Sequence, residues 1–145
     1  MRYDLPQPFD ELDHTADVGV VVRGESERET MARLALAMSH LLTGGGPVAV
    51  RDEPVEVSVE AGDSVSMAVD LLRELLFRFD CDHEVVGACE VLRFDPAEGA
   101  ALAVWLAPWD EDAHEEGTEL KAVTLHEARF ERVEDGWLAQ VVFDV

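Results

Sequence analysis

The chain has 145 residues, 48% of them apolar, and a formal net charge of −21 from 32 acidic residues against 11 lysines and arginines. That length suits one domain, residues 1–145, with a single core. The apolar content excludes a disordered acidic tail, and the charge disfavours direct contact with RNA or DNA, whose phosphates are neutralised by Lys and Arg. No apolar run approaches the roughly 18 residues a membrane span needs. The opening MRYDLPQPFDEL has no apolar signal core, so a cytoplasmic protein is expected.

The acidic residues are spread along the whole chain, and Lys121 is the only lysine beside ten arginines. Such like charge destabilises a compact state unless salt screens it. A halophilic type of composition accounts for the acids. An arginine-favouring genome accounts for the missing lysines only.

In chain order, Val18–Val22 is β-branched and predicts a strand. Ser26 and Glu29 form the S-x-x-E capping box of a following helix. Met31, Leu34, Ala35, Met38, Leu41 and Leu42 recur at helical spacing, and the glycines at 44–46 stop that helix. Val55, Val57 and Val59 alternate with polar residues and predict a half-buried strand. Gly62 and Asp63 open a second helix whose apolar face runs from Val65 to Phe79. Strands are expected at 84–94 and 100–107, joined by a hairpin at DPAEG. The acidic stretch PWDEDAHEEGTE reads as a surface loop. Strands LKAVTLHEARFERV and WLAQVVFDV close the chain, joined by EDG. This order predicts an α+β fold, a two-layer sandwich with two helices on one face of a mixed, mostly antiparallel sheet.

Familiar catalytic motifs are absent. Three His-Glu pairs occur, at His83, His114 and His126, but none continues to H-E-x-x-H. The stretch CDH, from Cys81 to His83, together with Cys89, reads as small buried thiols and not as a zinc framework. DHTADVGV gathers Asp13, His14, Thr15 and Asp17 before a strand, where they cost β-propensity. Asp144 sits in the apolar terminal strand. Taken singly, Asp17 reads as a turn residue bonding nearby backbone N–H groups, and Asp144 as a solvated strand end.

DHTADVGV, ELKAVTLH and WLAQVVFDV together, in this order and spacing, resemble the archease family over essentially the whole chain. The departures are the acidic composition, the extension MRYDLPQP and Phe143 in the last strand. The resemblance implies a non-enzymatic cofactor of the GTP-dependent 3′-phosphate RNA ligase of tRNA splicing and RNA repair. It would promote ligase guanylylation and multiple turnover, and meet RNA only through the ligase. The resemblance also implies a divalent cation, Ca²⁺ first and Mg²⁺ or Mn²⁺ as alternatives, on Asp17, Asp144 and an oxygen of Val145. His14 and His126 would stand behind these ligands.

Two carboxylates and a further oxygen form a hard-oxygen set that suits Ca²⁺ or Mg²⁺. Lys121, kept where lysine is otherwise eliminated, is expected beside Asp17 and Asp144, reaching a phosphate as a compact point charge. The alternative for it is a buried salt bridge, a role arginine serves better. Two other functions compete: a metal-dependent hydrolase with His14 or His126 as base, and a general chaperone or protein-binding module.

Overall fold

The structure, a computed structural model, describes residues 1–13, 17–109 and 117–145, without the side chain of Asp13. His14, Thr15 and the acidic stretch 110–116, with His114, lie outside the described residues.

The elements run β1 (Arg2–Asp4), β2 (Asp10–Asp13), β3 (Asp17–Gly24), α1 (Glu27–Thr43), β4 (Val55–Val59), α2 (Ser64–Asp82), β5 (Glu84–Asp95), β6 (Gly99–Pro108), β7 (Ala122–Val133) and β8 (Gly136–Asp144). The α+β class and the helices packed on antiparallel sheet agree with the sequence. The strands, however, form two four-stranded sheets, ordered β1-β5-β6-β4 and β2-β3-β8-β7. Every ladder is antiparallel, where one mixed sheet was expected. The physical reason lies in α1. Met31, Leu34, Ala35, Leu36, Ala37 and Met38 are all buried, so its apolar surface goes round the helix. A helix apolar on all sides needs cover on more than one side. Accordingly α1 packs on β5 of one sheet and on β3 and β8 of the other, while α2 packs on β4, β5 and β7.

The helix ends follow their caps. Ser26 Oγ accepts from Glu29 N at 3.1 Å, the first half of the capping box. The Glu29 carboxylate accepts from Glu25 N at 2.9 Å and not from the cap residue, so the second half is displaced by one position. Gly44, at φ 73°, takes the left-handed conformation that ends α1. Asp63 caps α2 through Ser66 N at 2.8 Å. Ser66 Oγ also donates to it, and these bonds hold its carboxyl below the usual carboxylate range.

The extension MRYDLPQP is integrated into the fold. Its β1 pairs with β5, Tyr3 OH donates to Glu29 Oε2 at 3.1 Å, and the Arg2 guanidinium lies 4.3 Å from the Trp105 ring centroid.

In the second sheet the inner row is apolar. Phe143 and Val20 are fully buried, and Val22, Val141 and Val123 nearly so. Burying a side chain such as Phe143 contributes about 2–3 kcal/mol and anchors the last strand. Gly19 pairs with Leu12, and a Cβ on Gly19 would meet Leu12 Cβ at 3.1 Å. The missing side chain is what lets Leu12 lie across β3.

Candidate functional site

Antiparallel pairing brings the start of β3 and the C-terminal end of β8 together at one end of the second sheet. Asp17 is the first residue of β3 and Asp144 the last of β8, and they are register partners. Ala122, the first residue of β7, pairs with Asp144 from the other side. One row therefore reads Asp17, Asp144, Ala122 across three strands. The next row is Val18, Phe143 and Val123, which faces the helices. Alternation along each strand then puts both aspartates on the face away from the helices. Asp17 is half-buried, whereas Asp144 and Val145 are exposed.

Directly opposed residues in an antiparallel pair have Cβ atoms about 4.5–5.5 Å apart, and like charges there repel. Among the described residues no Lys, Arg or His side chain pairs with either aspartate. The site is thus two hard-oxygen groups at a sheet end with their mutual repulsion uncompensated by any cation among the described residues. Its donor chemistry fits a Ca²⁺- or Mg²⁺-type ion, and an oxygen of the adjacent Val145 is available on the same strand.

Lys121 joins this end through the backbone. Its N–H donates to the Asp144 carbonyl at 2.8 Å, one residue before β7 begins. Leu120 is buried in the core, and Thr118 N donates to Leu41 O at 2.7 Å, so the segment entering β7 is tied to α1. On the other flank Arg73 of α2 donates from Nε to Val123 O at 3.1 Å. Lys121 itself is exposed, and among the described residues its ammonium has no carboxylate partner. The buried salt bridge that would make it structural is therefore not what holds it.

His126 does not join the pair. It is 72% exposed and lies 3.9 Å from the Glu127 carboxylate. Among the described residues no three His, Cys, Asp or Glu side chains gather into an ion-holding group. CDH departs from its expected burial: it lies at the end of α2, where Cys81 is exposed and His83 is the left-handed C-cap with φ 53°. Cys89 is buried, and desolvation pushes its thiol up to about 12. A cavity of about 350 Å³, lined by Asp4, Pro6, Gly45, Val48 and Gly87 among others, contains none of the site residues.

The sheet order, with β3 and the last strand β8 meeting at an acidic end, defines an α+β class already represented among solved structures. The solution structure of protein 1598 of Methanobacterium thermoautotrophicum is 28% identical, with a TM-score of 0.73 over 94% of this chain and 98% of that one. The crystal structure of a Thermotoga maritima protein, described as an archease and possible chaperone, shares the fold at 22% identity, with a TM-score of 0.61 and 99% of each chain covered. The model of the archease protein family matches residues 9–145. Protein archease of Methanopyrus kandleri is 33% identical over 140 residues, covering 95% of this chain and 99% of its own. That of Methanosarcina mazei is 34% identical over 140 residues, covering 94% and 95%. The chain belongs to the archease family.

No helix among the described residues is long and apolar enough to cross a membrane. The family match begins at residue 9, so β1, which pairs with β5, lies outside it.

Proposed function

We propose that this protein is a non-enzymatic activator of a GTP-dependent RNA ligase that joins 3′-phosphate or cyclic-phosphate ends. It acts by promoting guanylylation of that ligase and its multiple turnover. The observation that carries the reading is the meeting of Asp17, Asp144 and Lys121 at one sheet end, from three separate stretches of sequence.

Asp17, Asp144 and an oxygen of Val145 would hold a divalent cation, Ca²⁺ before Mg²⁺ or Mn²⁺. A bound dication offsets local negative charge and leaves positions for phosphate or partner oxygens. Lys121, exposed and without a carboxylate partner among the described residues, offers one mobile positive charge beside them. Nucleotide phosphate is the group that such a charge meets.

A net charge of −21 favours encounter with a basic, nucleic-acid-binding enzyme and disfavours direct RNA contact. RNA is reached through the ligase. The cytosol is the compartment where such a pair works.

The test is single-turnover formation of the ligase–GMP adduct, with and without the protein. A clear rate increase that Asp17→Ala and Asp144→Ala abolish supports the activator role. No change in adduct formation or turnover would reject it. Turnover of phosphoesters by the isolated protein would instead support a hydrolase.

A further inference from the structure

The strand β7 is interrupted close to the acidic end. Thr124 pairs with Val142, but the next pair is Arg129 with Gln140, so Leu125, His126, Glu127 and Ala128 lie opposite Val141 alone. This is far more than the single extra residue of an ordinary bulge. Glu127 adopts a left-handed conformation at φ 55°, which is strained for a side chain of this type. The protrusion is held in shape: Gln140 Nε2 donates to Glu127 O at 2.8 Å, and Ala128 packs against the core. What it displays is Leu125, 54% exposed, and His126, 72% exposed on its side chain.

A fixed, strained backbone that lifts a leucine into water opposes both local preference and hydrophobic burial. Bulges of this kind re-aim side chains beside functional sites. We infer that the Leu125–His126 protrusion is a docking anchor that seats Leu125 in an apolar pocket on the basic surface of the partner ligase. The inference rests on the proposed activator function and names the contact through which it works.

Two observations fix the occupant. The first is position. Leu125 is three residues past Ala122, at most about 10 Å along an extended strand, and Ala122 pairs with Asp144. A specific interface covers about 800 Å² on each partner, a disc roughly 16 Å in radius. A partner that engages Asp17 and Asp144 therefore covers the protrusion too. The second is charge. The protein carries a net charge of −21, so a partner surface that meets it is basic, here around an apolar centre, as in interfaces with a buried anchor and a polar periphery.

The test uses the full chain and the purified ligase. Affinity is measured by interferometry for wild type, Leu125→Asp, Leu125→Ser and Leu125→Met, and unfolding midpoints are measured in parallel. Leu125→Asp adds negative charge facing a basic surface, so charge alone predicts equal or tighter binding. We expect affinity to fall tenfold or more in the Asp and Ser variants and to stay within about threefold in Met, with unchanged midpoints. Stimulation of guanylylation should return at saturating concentration of each variant, because Asp17, Asp144 and Lys121 remain. If wild type binds and Leu125→Asp and Leu125→Ser, folded, bind within twofold of it, the anchor is overturned and the activator reading stands. If wild type neither binds nor stimulates the ligase, the activator reading falls and takes the anchor with it. Should Leu125→Asp fail to fold, Leu125→Ser decides.

Discussion

Asp17 and Asp144, near opposite ends of the sequence, face each other as register partners in the β3–β8 ladder. Two like charges in that relationship cost stability, about 0.2–1 kcal/mol for a directly opposed pair. In the presence of chelator, Asp144→Asn should therefore raise the thermal midpoint by about 1–4 °C. Added Ca²⁺ should reverse the order. A ligand at a hundred times its Kd stabilises by about 2.7 kcal/mol, and the wild type should gain this while the Asp17→Ala/Asp144→Ala variant gains nothing. Scanning calorimetry with EDTA, Ca²⁺, Mg²⁺ and Mn²⁺ checks both halves. An equal response to Ca²⁺ in wild type and double variant would place the ion elsewhere.

Salt acts on the whole surface. With 32 acidic residues against 11 basic ones, self-repulsion is screened as ionic strength rises. The Debye length falls from about 10 Å at 0.1 M to about 3 Å at 1 M, so most of the gain comes early. The midpoint should rise steeply up to about 1 M KCl and more slowly beyond. A flat or falling midpoint would remove the halophilic interpretation.

Much of this arrangement is legible in the chain, and the rest is hidden for identifiable reasons. Both helices and their starts follow from periodicity and from Ser26 and Asp63 as caps, because these signals are local. The division into two sheets was encoded less openly, in the apolar surface running round α1. The strands β1 and β2 are too short for alternation to mark them. That Asp17 meets Asp144 depends on a pairing between β3 and β8, far apart in sequence, which no local pattern specifies; family likeness, not periodicity, points to it. The protrusion after Thr124 left one trace, the loss of alternation through Leu125, His126 and Glu127, and it was read as continuous strand.

The cap of α2 gives a pH prediction. Hydrogen bonds from Ser66 N and Oγ hold the Asp63 carboxyl below its usual range, so the folded-state value is lower than the unfolded one. A depressed carboxylate contributes stability above its unfolded value and loses it as pH falls through the folded value. Urea unfolding of wild type and Asp63→Ala should therefore differ at pH 7 and converge as the pH drops from about 5 to about 2. Asp63→Ser, which caps without titrating, should keep a difference from Asp63→Ala at the acid end.

The two thiols should behave in opposite ways. Cys81 is exposed, and Cys89 is buried with its thiol pushed up to about 12. Only thiolate reacts at an appreciable rate, so a maleimide at pH 8 should label Cys81 alone in the native protein. Cys89 should react after denaturation. Mass spectrometry of the two peptides reads this, and native labelling of Cys89 would mean that the β5 core opens readily.

Lys121 is the only lysine in the chain, and its backbone N–H is bound to the Asp144 carbonyl at 2.8 Å. Its side chain is exposed and has no carboxylate partner among the described residues, so its removal should leave the fold intact. Surface changes of this sort move stability by about 0.5 kcal/mol or less. The charge is a different matter. An ammonium on a thin stem can enter a narrow nucleotide site and meet one phosphate oxygen, where the broad guanidinium fork does not fit. Lys121→Ala should therefore unfold at the wild-type midpoint and bind the ligase, yet lose most stimulation of ligase–GMP formation, a deficit of at least about tenfold in rate for one charge-assisted bond worth about 1.5–3 kcal/mol. Lys121→Arg should recover only part of the rate. Single-turnover adduct formation at saturating protein separates this from weaker docking, which saturation would mask. Full stimulation by the alanine variant would leave Lys121 without a part in the reaction.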